Sequence, residues 1–135
     1  MIYLLDTNIL SELVKKRPDS HFLATLRSKP SSSLRTASIC IFELRFGSSL
    51  RDDFKTFWPK IMDEIISRVT VSQFGESEAY LAGDILAHLQ KTGQKIGLED
   101  VLIAATALSN KCVLVTANTR HYSRIKNLKI ENWLA

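Results

Sequence analysis

The sequence is poor in the residues that build zinc sites and disulfide frameworks, and it lacks a long apolar run. It has two cysteines and three histidines in 135 residues. Cys40 and Cys112 stand alone in apolar runs, Ser38-Ile39-Cys40-Ile41 and Cys112-Val113-Leu114-Val115. They form neither a disulfide framework nor a CxxC metal pair, and both are expected to be buried, inert thiols. His21, His88 and His121 fall in no HxxxH or Cys–His spacing, which removes the usual zinc signatures. No stretch approaches the roughly 18 uninterrupted apolar residues that a membrane span needs. The opening Ile2-Tyr3-Leu4-Leu5 stops at Asp6, too short for a signal-peptide core and without a basic start, so a cytoplasmic protein is expected. Internal repeats and low-complexity tracts are missing too; Ser31-Ser32-Ser33 after Pro30 reads as a loop.

What remains is an ordinary globular composition, 45% hydrophobic and 24% charged, sufficient for a core. The length fits one domain, expected to span residues 1–135. A formal net charge of +4 is compatible with a polyanionic partner without establishing one. Lys15-Lys16-Arg17 reads as a solvated helix end. Arg120, His121, Arg124, Lys126 and Lys129 are more suggestive, because they follow a candidate active-site loop.

Short β-like runs alternate with helical patterns along the whole chain. Strands are expected at Ile2–Leu5, Thr36–Ile41, Arg68–Phe74, Lys111–Thr116 and Lys129–Trp133. Helices are expected at Asn8–Lys16, from Pro18-Asp19, from about Phe42, at Glu76–Lys91 and at Leu98–Ser109. A further helical pattern runs from Phe54 to Ile66, where Pro59 should kink or divide it. Its aromatic part around Phe54, Phe57 and Trp58 reads equally as core or interface. The alternation points to an α/β domain with a mostly parallel sheet covered by helices on both faces.

Open parallel sheets bind ligands beyond the carboxyl ends of their strands, and four polar residues stand at such places. Asp6 directly follows the first strand; it could serve a site or form part of a helix cap, and Thr7 or Asn8 could also cap. Glu43 has Ile39 and Phe46 as helical neighbours, an apolar face on which a carboxylate needs a cation or donors. An ion pair with Arg45 is the bland alternative. Asp100 opens the most apolar helix, where the helix dipole alone could account for it, and Glu99 would serve that role equally well. Asn118 follows the fourth strand as an ordinary polar turn or a contact to water or metal. Together these place three carboxylates and an amide at one rim, which repulsion opposes unless a cation is present. Oxygen-only ligation selects Mg²⁺ or Mn²⁺ over Zn²⁺.

Leu5-Asp6-Thr7-Asn8-Ile9-Leu10 and Ile41-Phe42-Glu43-Leu44-Arg45-Phe46-Gly47 resemble the opening motifs of VapC-type PIN-domain toxins. Ile96-Gly97-Leu98-Glu99-Asp100-Val101-Leu102-Ile103-Ala104-Ala105 resembles the third motif. Val115-Thr116-Ala117-Asn118-Thr119-Arg120-His121-Tyr122, with Glu131-Asn132-Trp133, resembles the fourth segment and closing strand. The resemblance spans the chain in order. It implies a three-layer α/β/α fold with a five-stranded, mostly parallel sheet, and an endoribonuclease dependent on Mg²⁺ or Mn²⁺. It also implies an RNA substrate, a VapB-type antitoxin whose tail covers the active site, and a homodimer within a larger toxin–antitoxin assembly, away from membranes. Asp6, Glu43 and Asp100 match the family's metal-binding acids, and Asn118 falls where many relatives carry a fourth acid. Thr116 matches a supporting hydroxyl, with Thr7 and Asn8 beside it. Glu99 is acidic where relatives often carry an apolar residue, so it is either a further ligand or a cap.

The expected chemistry is metal-assisted hydrolysis of a phosphodiester, with Arg120 and nearby bases on the RNA backbone. Three rivals are distinguishable. A histidine ribonuclease would survive chelation, but no histidine pair is evident. A phosphatase with Asp6 as nucleophile usually needs a second aspartate two residues on, where this chain has Asn8. A binding module with a degraded site would not retain all three acids.

Overall fold

The structure, a computed structural model, describes residues 1–134. Five strands form one sheet: β1 (Tyr3–Leu5), β2 (Leu34–Ala37), β3 (Thr70–Ser72), β4 (Val113–Val115) and β5 (Ile130–Glu131). They lie in the order β3-β2-β1-β4-β5 with every pairing parallel. Seven α-helices accompany them among the described residues: α1 (Thr7–Glu12), α2 (Ser20–Arg27), α3 (Ser38–Ser49), α4 (Phe54–Glu64), α5 (Glu76–Lys91), α6 (Leu98–Ser109) and α7 (Thr119–Tyr122).

Every residue of β1 and β4 is buried. Successive side chains point to opposite faces of a strand, so both sheet faces are covered. The main core gathers Leu4, Leu5, Ile9, Phe22, Leu114 and Tyr122, all fully buried. A second cluster, Ala82, Leu89, Val101 and Ala105, seals α5 against α6. Cys40 and Cys112 are both free and buried, as expected.

The strand order places the site. The chain builds β1, β2 and β3 outward in one direction, then returns to lay β4 on the other flank of β1. At that switch the connections leave in opposite directions, the place beyond the strand ends where open parallel sheets bind their ligands. Asp6 and Thr116 are the first residues past β1 and β4, and register pairs Leu5 with Val115, so the two residues emerge side by side.

Several boundaries differ from expectation. The second strand ends at Ala37 and α3 begins at Ser38, so Ile39, Cys40 and Ile41 are helical despite their β-branched, strand-like character. Helix α1 ends at Glu12, because Leu13, Val14 and Lys15 bond back only three residues and tighten the chain into turns. Pro59 lies inside α4 without dividing it. The strands at Arg68–Phe74 and Lys129–Trp133 shorten to Thr70–Ser72 and Ile130–Glu131. No helix among the described residues is long and apolar enough to cross a membrane.

Candidate active site

Asp6 is both a cap and a site residue. Its backbone turns out of β1 at φ −72°, ψ 163°, and its carbonyl accepts from the Ile9 and Leu10 amides at 3.0 Å. One carboxylate oxygen accepts from the Thr7 amide at 2.8 Å, and the other from the Thr116 hydroxyl at 2.8 Å. Neither Thr7 nor Asn8 is the cap; each is turned to other work. The Thr7 hydroxyl donates to Glu43 Oε1 at 2.6 Å, and Asn8 Oδ1 accepts from the Ala117 amide at 3.1 Å. Asn8 thereby fastens the loop after β4, where Thr116 Oγ1 also accepts from the Asn118 amide at 3.0 Å.

Asp100, in the first turn of α6, accepts from the Tyr122 hydroxyl at 3.1 Å and stands 3.5 Å from His121 Nδ1. Asn118 Nδ2 lies 2.8 Å from the same His121 nitrogen. Carboxylate oxygens of Asp6 and Glu43 and the Cys40 sulfur all lie within 4.8 Å of one another.

The electrostatics are those of uncompensated acids. Burial pushes the Asp6 carboxyl above its ordinary value; donors from Thr116 and Thr7 pull it down, and the Asp100 charge pushes it up again. Burial likewise raises Glu43, opposed by the Thr7 hydroxyl and reinforced by the charges of Asp6, Asp100 and Glu99. Among the described residues no lysine or arginine pairs with any of the three principal acids. Arg45 does not neutralise Glu43: its guanidinium sits 4.7 Å over the Phe54 and Trp58 rings instead. Buried carboxylates without a cationic side chain fit a hard divalent cation held by oxygen. Burial pushes the Cys40 thiol up to about 12, and a soft sulfur is in any case a poor match for a hard cation that prefers oxygen.

Residues 3–128 match the PIN domain family. The chain belongs to that family. It is 33% identical to ribonuclease VapC2 of Rickettsia felis over 98% of both chains. It is 28% identical to the tRNA(fMet)-specific endonuclease VapC of Shigella flexneri over 97% of both. The solved VapBC2 structure from Rickettsia felis, bound to a promoter DNA fragment, superposes with a TM-score of 0.86, covering 98% of this chain and 99% of that one at 32% identity. DNA-bound VapBC from Salmonella typhimurium gives 0.89, with 98% of each chain covered at 29% identity.

In this PIN domain, Asp6, Glu43, Asp100, Asn118, Thr7, Asn8 and Thr116 all come to one rim. Glu99 stands exposed beside them, adding repulsion at Glu43 without capping α6 by a side-chain bond. Arg120 is exposed on α7 next to the rim. The apolar setting expected for Glu43 is only partly present, because Phe46 is 59% exposed and the buried face of α3 is Cys40, Leu44 and Ser48. Asp6, 4% exposed, is the deeply buried acid.

Two neighbours escape a reading of the sequence alone. Cys40 precedes Glu43 by three helical positions, a spacing that pairs them once α3 is started at Ser38. Tyr122 gives no local signal, since its contact with Asp100 is purely tertiary. A cleft of about 690 Å³ also opens from Thr7 and Glu43, floored by Leu44, Phe57 and Ile61. Lys15 and Lys16 stand at its edge, both exposed just past the end of α1, with Lys15 paired to Glu12 at 2.8 Å.

Because folding raises the Asp6 carboxyl above its unfolded value, the ionised group opposes folding at neutral pH. That opposition is relieved as pH falls through the raised value. In metal-free buffer, Asp6→Asn should melt above the parent at neutral pH, with the gap closing towards acid. Circular dichroism melts across pH will read this, and a lower Tm for the variant at neutral pH contradicts it.

Proposed function

We propose that this chain is a single nuclease domain, a Mg²⁺- or Mn²⁺-dependent endoribonuclease acting as the toxin of a toxin–antitoxin pair. The observation that carries the reading is the convergence of Asp6, Glu43 and Asp100 at the switch point of a PIN domain, with no lysine or arginine among the described residues to balance them. Relatives aligned over nearly the whole chain are ribonuclease VapC2 and tRNA(fMet)-specific endonuclease VapC.

When bound, the divalent ion would neutralise phosphate charge and lower the pKa of an attacking water. The protein's part is positional. Asp6 is fixed through both oxygens, by Thr7 and Thr116, and Glu43 is held by the Thr7 hydroxyl, so their acceptor atoms are aimed before any ligand arrives. Asn118, anchored against His121, stands ready to orient water or phosphate. Arg120 on α7 and the lysines of the adjoining cleft supply the positive field for an RNA backbone.

Solved relatives are VapBC complexes from Rickettsia felis and Salmonella typhimurium. By that kinship this chain has a VapB-type antitoxin that covers the acids, and it works in the cytoplasm. Phe42 and Phe46 on α3 and Leu50 at its C-cap are exposed along one side, at 58%, 59% and 72% exposure. Such a contiguous apolar stripe fits a homodimer contact within the larger assembly. Analytical ultracentrifugation of the free protein should show a dimer that Phe46→Glu converts to monomer; an unchanged mass counts against the contact.

The enzymatic reading is tested by incubating the purified chain with total cellular RNA and mapping the new ends. Cleavage is expected with Mg²⁺, abolished by EDTA, and reduced at least about 100-fold in Asp6→Asn, since loss of a direct ligand should exceed the 10–100-fold cost of losing a supporting one. Cleavage that persists in EDTA would point instead to histidine acid–base chemistry.

A further inference from the structure

Tyr122 is the largest fully buried side chain in the described protein, and its ring belongs to the main core. A phenylalanine would fill that space equally well. The hydroxyl is what needs an account, because a buried phenol requires a hydrogen-bond partner. It points out of the core to Asp100 Oδ1, at 3.1 Å.

Each acid in turn has one side-chain hydroxyl donor. Thr116 donates to Asp6, Thr7 to Glu43 and Tyr122 to Asp100. Asp6 also receives the Thr7 amide. Among the described residues Asp100 has no comparable second anchor: its other oxygen meets His121, at 3.5 Å on a half-exposed ring. Tyr122 is well placed to fix it, since α7 and the core hold its ring still. Its amide bonds back to Asn118 and its carbonyl accepts from Ile125. The hydroxyl is a neutral donor, so it orients the carboxylate without discharging it, as a lysine would. Burial and the neighbouring carboxylates keep the phenol protonated.

We propose that Tyr122 is a positioning residue whose hydroxyl holds Asp100 in the orientation from which, with Asp6 and Glu43, it receives a divalent cation. This rests on the metal-dependent reading above. It assigns to the buried phenol a part in metal affinity that acts through Asp100.

The test is Mn²⁺ titration calorimetry on the parent, Tyr122→Phe, Asp100→Asn and the double variant. Phenylalanine retains the ring, so the core and the fold are kept. Tyr122→Phe should weaken Mn²⁺ binding by about 10–100-fold, the usual effect of removing a group that orients a metal ligand. In the Asp100→Asn background the same change should cost nothing further, because the residue it acts through is gone. Mg²⁺ titration of RNA cleavage should show the half-saturating concentration rising by the same factor, with a smaller change in rate at saturation. Binding within about twofold of the parent overturns the proposal. So does an equal further loss in the Asp100→Asn background, which marks a general packing effect. A parent protein that binds no Mn²⁺ removes the metal reading itself, and the role of Tyr122 with it.

Discussion

Desolvation of Asp6 is the constraint around which the rest of the site is arranged. A carboxylate that is 4% exposed and faces two more acids loses hydration and gains repulsion at the same time. The fold offers it neutral donors, an amide from Thr7 and a hydroxyl from Thr116, but among the described residues no cationic side chain. These donors favour the charged form while leaving the net negative charge intact. The arrangement stores an electrostatic demand that one divalent cation can meet, and the stability of the metal-free protein bears the cost.

The sheet makes that concentration of charge possible. Asp6 and Thr116 meet because β1 and β4 are register partners at the point where the chain reverses its direction of growth. Asp100 arrives from α6, the helix that feeds β4, and Glu43 from α3, the helix that follows β2. Four separate segments therefore converge; Asp6 and Asp100 sit at the start of a helix, where exposed amides and the helix dipole favour negative charge, whereas Glu43 lies in the middle of α3 without that help. Polar residues that tie the segments together, Asn8 to the Ala117 amide and Thr7 to Glu43, span more than thirty positions of sequence.

The alternation of strands and helices was legible in the sequence because short continuous apolar runs give way to apolar positions three to four apart, and the rim acids were legible because each interrupts or follows an apolar run. Local pattern failed where tertiary contact decides. Ile39, Cys40 and Ile41 look like a strand, yet Ala37 already turns the chain into α3. That shift conceals the pairing of Cys40 with Glu43 and misplaces Phe46, which faces outwards. Capping and a place in the site looked like competing roles for Asp6, but its two oxygens take different partners, Thr7 at the cap and Thr116 across the rim. Tyr122 closes the fourth motif segment, but nothing there signals a contact with Asp100, since its hydroxyl is meaningful only beside a residue twenty-two positions away.

The central claim is that Asp6, Glu43 and Asp100 form one oxygen-lined cation site at the β1–β4 switch. Crystals soaked in Mn²⁺ and measured for anomalous scattering test it most directly. The account predicts a peak in the crevice among these acids, bonded to carboxylate oxygen or water at about 2.0–2.2 Å and not to the Cys40 sulfur. A peak ligated by Cys40, or a crevice without one while Mn²⁺ binds elsewhere on the protein, would contradict it.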